Sequence, residues 1–151
     1  RRRSRRSRPA LAALVAGDPV QRVVAAERAG REGTPLSVDE ESFLWPLLLW
    51  GLEDDYPAVR WFARRSLRAL AERGGPQGAA PLIEAFDYIA PAEARARALS
   101  ELRALWFEHA RTAELPAPPT ESLVTERHGL DLARIAPLID LRLSKDISIG
   151  E

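Results

Sequence analysis

Few residues in this chain of 151 could carry out acid–base, nucleophilic or metal chemistry. His109 and His128 are the only histidines, and neither has a second histidine or a cysteine at the helical spacing that presents two metal ligands together. Ser66 and Ser100 fall inside predicted helices and lack the glycine-flanked turn that exposes a catalytic serine. The chain has no Cys, which excludes thiolate chemistry and zinc fingers. We therefore expect no catalytic residue, no metal and no cofactor.

Phosphate-binding loops and paired carboxylates offer no better candidate. Residues 74–78, GGPQG, are rich in glycine but lack the Lys and the preceding strand of a phosphate-binding loop. The adjacent carboxylates Glu40 and Glu41, and likewise Asp54 and Asp55, stand next to predicted helix starts. Acidic side chains there bind free backbone N–H groups. We interpret both pairs as helix caps, and we expect the chain not to be an enzyme.

Positive charge is concentrated in the first eight residues, RRRSRRSR, although the net charge of the whole chain is zero. The remaining residues therefore carry about six excess negative charges. We expect residues 1–8 to be disordered on their own, because a run of like charges cannot pack a core. Such an arm can bind nucleic acid, flank a membrane segment or contact an acidic protein surface. Its predicted partner-binding residues are Arg2, Arg3, Arg5 and Arg6.

The sequence leaves the compartment open. The longest apolar run, Phe43 to Leu52, is about half of the roughly 20 residues that a membrane span needs, so no transmembrane segment is expected. No apolar signal region follows the basic start. The chain contains no Met, even at residue 1, and we expect a processed product or part of a longer protein.

Apolar residues at three- and four-residue steps, separated by Gly- and Pro-bearing turns, predict an all-α chain. The predicted helices cover 9–16, 19–29, 39–52, 57–73, 79–88, 91–112 and 131–143. Asp18 and Asp55 are the predicted caps of the second and fourth helices. Pro46 is predicted to kink the third helix or to mark its true start. The chain divides into a basic arm (1–8), a helical body (9–112), a Pro-rich linker (113–129) and a terminal helix with an extended tail (130–151).

Two of the helix starts repeat after 38 residues, from Pro19 to Pro57. Residues 17–25 read GDPVQRVVA and residues 55–63 read DYPAVRWFA, so that Arg follows Pro by three residues in both. The first helices of the pairs also match one another, as WPLL, APLI and APLI at 45–48, 80–83 and 136–139. A third unit is degenerate, because Arg95 stands one position late after its Pro. A repeat of this kind indicates stacked helical pairs.

This pattern resembles the HEAT repeat, whose first helix bears a Pro and whose second helix opens with a turn Asp, a Val-Arg pair and a small residue. The resemblance covers about residues 9–110, with a remnant at 130–143, and its spacing is slightly below the usual ~40–47 residues. It implies an all-α, right-handed α-solenoid of about three HEAT-like helical hairpins with extended termini. It also implies a ladder of Asp–Arg pairs along the turns, within or between repeats. The ladder residues are Asp18, Arg22, Asp55 and Arg60.

Parts of the sequence are also similar to HEAT segments attached to large bacterial multihaem c-type cytochromes. The similar parts are residues 54–68, Phe86 to Tyr88, Trp106 and the final Ile-Gly-Glu. The haem-attachment motif CxxCH is missing, so any haem would belong to another region or chain. This resemblance implies a bacterial protein at the periplasm or at the cytoplasmic membrane face.

Trp61, Arg64 and Arg68 on the fourth predicted helix are the partner-binding residues predicted for the body, because aromatic and Arg side chains anchor many interfaces. The alternative for Trp61 is packing in the core. We expect a non-catalytic protein–protein interaction scaffold or accessory subunit of a larger bacterial complex, redox or membrane-associated. One alternative is a HEAT-type nucleic-acid-binding protein, against which the acidic body argues. The other is a regulatory domain split from a larger enzyme or multihaem cytochrome.

Overall fold

The computed structural model describes residues 7–31, 42–118 and 122–146. These ranges contain the helices α1 (Ser7–Ala16), α2 (Pro19–Ala29), α3 (Leu44–Gly51), α4 (Pro57–Gly74), α5 (Ala79–Ala85), α6 (Ala92–Thr112) and α7 (Leu132–Asp146). The extended pairing described within them is a single antiparallel bridge between Val124 and Leu130. The prediction of an all-α chain is confirmed for this part of the protein.

Local sequence signals fix two helix starts as predicted. The Asp18 carboxylate caps α2 by accepting a hydrogen bond of 2.8 Å from the backbone N–H of Gln21, whose side chain accepts one from the Asp18 N–H. Pro46 is the third residue of α3, in the first turn, where its missing N–H breaks no helical hydrogen bond. It therefore lies at the start of the helix and does not kink it; predicted residues 39–41 of this helix lie outside the described residues.

Other boundaries differ from the prediction. The N-cap of α4 is Tyr56, and its N–H is bound by Asp54, so the predicted capping role of Asp55 is wrong. Helix α5 ends at Ala85, three residues early, because the backbone at Phe86 turns extended and buries its ring in the core.

The two ends of the chain also contain more helix than predicted. Helix α1 begins at Ser7, inside the predicted basic arm, and residues 1–6 lie outside the described part. Helix α7 continues to Asp146 and includes the first half of the predicted extended tail. Residues 147–151 are not among those described.

Helices α1 to α4 form two layers. Helix α1 packs on α3, α2 packs on α4, and each turn joins one layer to the other. Contacts along α2 and α4 show that these helices run parallel. At their middle the Ser66 hydroxyl donates to the Ala26 carbonyl (2.6 Å), and at their C-terminal ends Arg73 Nη1 donates to the Gly30 carbonyl (3.2 Å). The buried residues between the layers include Leu14, Val15, Leu47, Leu48, Ala63 and Leu67.

The remaining helices fold back over this block. Helix α5 packs on α4 and α6, and α6 reaches α3, where the Trp45 and Trp106 rings stack with centroids 5.6 Å apart. Residues 122–131 then cross α6, and Trp106 Nε1 donates to the carbonyl of His128 (2.8 Å). Helix α7 finally packs on α1, so that Ile135 lies in the same buried cluster as the residues of α1 and α3. The first and last described helices are therefore in contact.

No helix in the described part of the chain is both long enough and apolar enough to span a bilayer.

A methyl group at Gly30 should force α2 and α4 apart. Its Cβ would lie 2.6 Å from the Cα of Ser66, a backbone atom that cannot rotate away. We expect Gly30→Ala to lower the free energy of unfolding by about 1–3 kcal/mol, the usual cost of overpacking, as measured by urea denaturation. Gly129→Ala is the matched control, because its Cβ would only touch the Phe107 ring at 3.4 Å. Equal effects of the two substitutions would contradict the close approach.

Acid should weaken the docking of the C-terminal segment through His128. This side chain is buried and stacks on Phe43, and its Nδ1 has no hydrogen-bond partner in the described part of the chain. Burial lowers the pKa of His128 below its ordinary value of 6.5. Just below pH 6.5, the unfolded chain therefore binds a proton at this position and the folded chain does not. The free energy of unfolding should therefore be fully present above pH 6.5 and fall as the pH drops below it.

The measurement is urea denaturation between pH 7.5 and 5. His128→Asn removes the titrating group, and Asn tolerates the positive φ of +58° at this position. We expect a smaller loss of stability on acidification in this variant than in the parent chain. The same pH dependence in both proteins would assign it to other groups.

Candidate partner-binding surface

The turns between the two layers are held by arginines that begin with Arg22 on α2. This side chain is almost fully buried, and Nη1 donates to the Gly17 carbonyl of its own turn (2.7 Å). Its Nε lies 2.9 Å from Oδ2 of Asp54, in the turn that precedes α4. Its guanidinium also covers the Tyr56 ring at 5.2 Å. Arg22 therefore joins the turn before α2 to the turn before α4.

Arg60 on α4 joins the turn before α4 to the turn before α6, as Arg22 joins the turns before α2 and α4. Its Nη1 donates to the carbonyls of Asp54 and Asp55 in its own turn, and its Nε donates to the carbonyl of Tyr88 in the turn before α6 (2.7 Å). Burial lowers the pKa of Arg60, and the nearby charge of Arg95 lowers it further. The carboxylates of Asp54 and Asp55 act in the opposite direction.

Arg95 completes a series of three. Arg22, Arg60 and Arg95 are each the fourth residue of their helix, and each donates Nη1 to the carbonyl five residues earlier. In the sequence, Arg95 follows Pro91 by four residues, one more than in the other two units. Because α6 begins at Ala92 and not at Pro91, Arg95 is still the fourth residue of its helix. The third unit is therefore in register at this position. These carbonyls lie in turns, outside the hydrogen-bond pattern of a helix. The arginine side chains supply the hydrogen bonds that they accept.

The charged partner in this ladder is Asp54. The predicted partner Asp55 has an 85% exposed side chain and lies 3.9 Å from Arg142, while Arg60 reaches it only through its backbone carbonyl. Asp18 caps α2, and Arg22 extends away from it to Asp54.

Two of the three partner-binding residues predicted on α4, Arg64 and Arg68, make internal contacts. Arg64 donates to the carbonyls of Ile83 (2.9 Å) and Glu84 (2.7 Å), which terminate α5. Arg68 forms ion pairs with Glu72 and Glu84. The predicted residues Arg2, Arg3, Arg5 and Arg6 of the basic arm lie outside the described residues.

Trp61 is exposed over 37% of its surface. Its ring meets the edge of Phe62 at a centroid distance of 4.6 Å, and the guanidinium of Arg65 lies over it at 5.7 Å. Arg65 is not among the predicted partner-binding residues. The signal that points to it is the four-residue step from Trp61, which places both side chains on one face of a helix.

Exposed apolar side chains also lie on α2, which packs beside α4, and at the start of α4. Val20 and Val24 on α2 are 71% and 42% exposed, and Tyr56 is 45% exposed at the start of α4. Exposed apolar side chains are common singly, and this group on two packed helices is a candidate interaction site. We define the α2–α4 surface as Val20, Val24, Arg28, Tyr56, Trp61 and Arg65.

The described residues offer no competing chemical site. They contain no group of three or more His, Cys, Asp or Glu side chains that could hold a metal ion. A cavity of about 50 Å³ lies beside Trp45 and Trp106, which is far smaller than the several hundred Å³ typical of a substrate pocket.

No family model, curated protein or solved structure matches this chain. The α2–α4 surface is therefore interpreted from its own geometry and charge.

The buried ion pair gives a direct test of the ladder. Asp54→Asn keeps an oxygen for the Tyr56 N–H but leaves the charge of Arg22 buried without a counterion. We expect the free energy of unfolding to fall by about 3–5 kcal/mol, as for other broken buried pairs. Asp55→Asn, one residue away and exposed, should change it by less than about 0.5 kcal/mol.

Adding Arg22→Met to Asp54→Asn should recover part of the loss, because it removes the uncompensated charge. Thermal or urea denaturation of the parent chain, Asp54→Asn, Arg22→Met, the double variant and Asp55→Asn checks these values. An additive effect of the two substitutions would contradict the pairing.

Proposed function

We propose that this chain is a non-catalytic protein-binding scaffold, an accessory subunit or module of a larger bacterial complex. Its helical hairpins stack as a short right-handed solenoid of about three HEAT-like units. The ladder of Arg22, Arg60 and Arg95 supports the stacking, because each uses the same donor on its own turn and the first two reach the turn that follows.

The observation that carries the binding function is the exposed pair of Trp61 and Arg65 next to Val20 and Val24. Aromatic and Arg side chains are the most frequent anchors of protein interfaces, because they bury a large area and form directed polar contacts. The internal contacts of Arg64 and Arg68 favour a protein partner over a nucleic acid, since both are used within the chain. The occupant is thus expected to be a protein.

Site-specific photocrosslinking tests this proposal. A benzophenone amino acid is placed at Val24, on the α2–α4 surface, and the protein is expressed from its own gene before irradiation of intact cells. The matched control carries the same amino acid at Ala104, which is exposed on α6. We expect position 24 to give one discrete heteromeric product that Trp61→Ala removes, and position 104 to give none. A free monomer without crosslinks at either position, or equal crosslinking at both, would contradict the proposal.

A further inference from the structure

The exposed residues of α2 and α4 follow two parallel stripes. Val20, Val24 and Arg28 stand at four-residue steps on α2, and Trp61 and Arg65 stand at one such step on α4. Residues four apart share a helix face and lie about 6 Å apart along the axis. Each stripe therefore begins with apolar side chains and ends with Arg.

Because the two helices run parallel, the apolar parts of the two stripes lie side by side, and so do the parts that end in Arg. Arg22 ties the N-terminal end of α2 to the turn before α4, and Arg73 ties the two C-terminal ends. The apolar side chains therefore lie towards the N-terminal ends of both helices. Arg28 lies in the last turn of α2, and Arg65 lies at the middle of α4, next to Ser66, which approaches Gly30. The α2–α4 surface has an apolar half and a basic half.

The two arginines of the basic half have no acidic partner among the described residues. Arg65 contacts the Trp61 ring, and neither it nor Arg28 forms an ion pair among the described residues. The neighbouring charges on these helices are neutralised by each other, as Arg31 with Glu27 (2.7 Å) and Arg68 with Glu72 (3.0 Å). Within the described ranges, the basic half thus carries about two positive charges without an ion-pair partner.

The opposite end of the surface is acidic. Asp18 caps α2 and is exposed, and the Asp55 side chain is 85% exposed in the turn before α4. Carboxylates of a partner would be repelled there and attracted by Arg28 and Arg65. This arrangement fixes the direction in which a charged segment can lie.

We propose that the α2–α4 surface binds an amphipathic segment of a partner protein that places apolar side chains on Val20, Val24 and Trp61 and carboxylates on Arg28 and Arg65. The inference rests on the proposed function and adds the chemistry of the partner. Trp61 and Tyr56 could stack on bases, but a nucleic acid fits less well, because the two valines of α2 offer no stacking surface and the Asp18 end would repel phosphate.

Three synthetic peptides of about 18 residues, long enough to form a helix, probe this surface of the full chain. The first has Leu at helical spacing in one half and Glu in the other. The second replaces Glu by Lys, and the third replaces Leu by Ser. Fluorescence anisotropy titrations at low and at physiological salt give the dissociation constants.

We expect the Leu–Glu peptide to bind about tenfold more tightly than either alternative, the effect of two favourable exposed charge pairs or of the apolar contacts. Arg28→Glu with Arg65→Glu should reverse the preference, so that the Lys peptide binds more tightly. The matched control, Arg97→Glu with Arg127→Glu, changes exposed arginines elsewhere and should leave the preference unchanged. Trp61→Ala should weaken binding of the Leu–Glu peptide about tenfold. Circular dichroism verifies that each variant is folded.

Several results would overturn the inference. These are equal binding of the Glu and Lys peptides, a similar loss in the control variant, or tighter binding of a single-stranded oligonucleotide with the same dependence on Arg28 and Arg65. Sedimentation that shows a dimer dissociated by Trp61→Ala would assign the surface to a second copy of the chain. If position 24 crosslinks to a partner but all three peptides fail to bind, the partner chemistry is wrong while the scaffold function stands.

Discussion

The buried ion pair between Arg22 and Asp54 is the contact on which the arrangement of the helices depends. It joins residues 32 positions apart, and both side chains are almost fully removed from water. Two charges in such a place are stable only when each is paired and its remaining donors are bonded. Arg22 is paired with Asp54, to which Nη2 donates, and it also donates Nη1 to the Gly17 carbonyl and covers the Tyr56 ring. The turn before α2 and the turn before α4 are thereby held side by side, and the two helices must run parallel.

Arg60 and Arg95 repeat this contact between an arginine and a turn, but without a buried carboxylate as partner. Arg60 uses carbonyl oxygens where Arg22 uses a carboxylate, and Arg95 retains only the bond to its own turn. Because these contacts use side chains at the start of each helix, the outward faces of α2 and α4 contribute little to holding the helices together. The exposed Trp61, Val24 and Arg65 are the residues to which the proposed binding is assigned.

Features set by neighbouring residues could be predicted from the sequence. The Asp18 cap, the helix starts at Pro19 and Pro57 and the all-α class depend on a few adjacent positions, and each agrees with the structure. The partner of Arg22 could not be predicted, because adjacent Asp54 and Asp55 look alike until the turn decides which one faces inward. For the same reason, the sequence does not show that Arg64 and Arg68 have partners within the chain. Those partners, at the C-terminal end of α5, come into reach only when the chain folds. The HEAT resemblance and the role of the basic arm stay predictions.

The contact of α7 with α1 has a consequence for the order in which the protein forms. Helix α1 leaves the ribosome long before Leu132, the first residue of α7, has been synthesised. At a usual rate of ~5–20 residues per second, the side of α1 that α7 will cover stays open for on the order of ten seconds. During that interval the cluster around Leu14 and Val15 lacks Ile135, the α7 side chain that is buried with them. Synthesis of α7 is therefore the step that closes this side of α1.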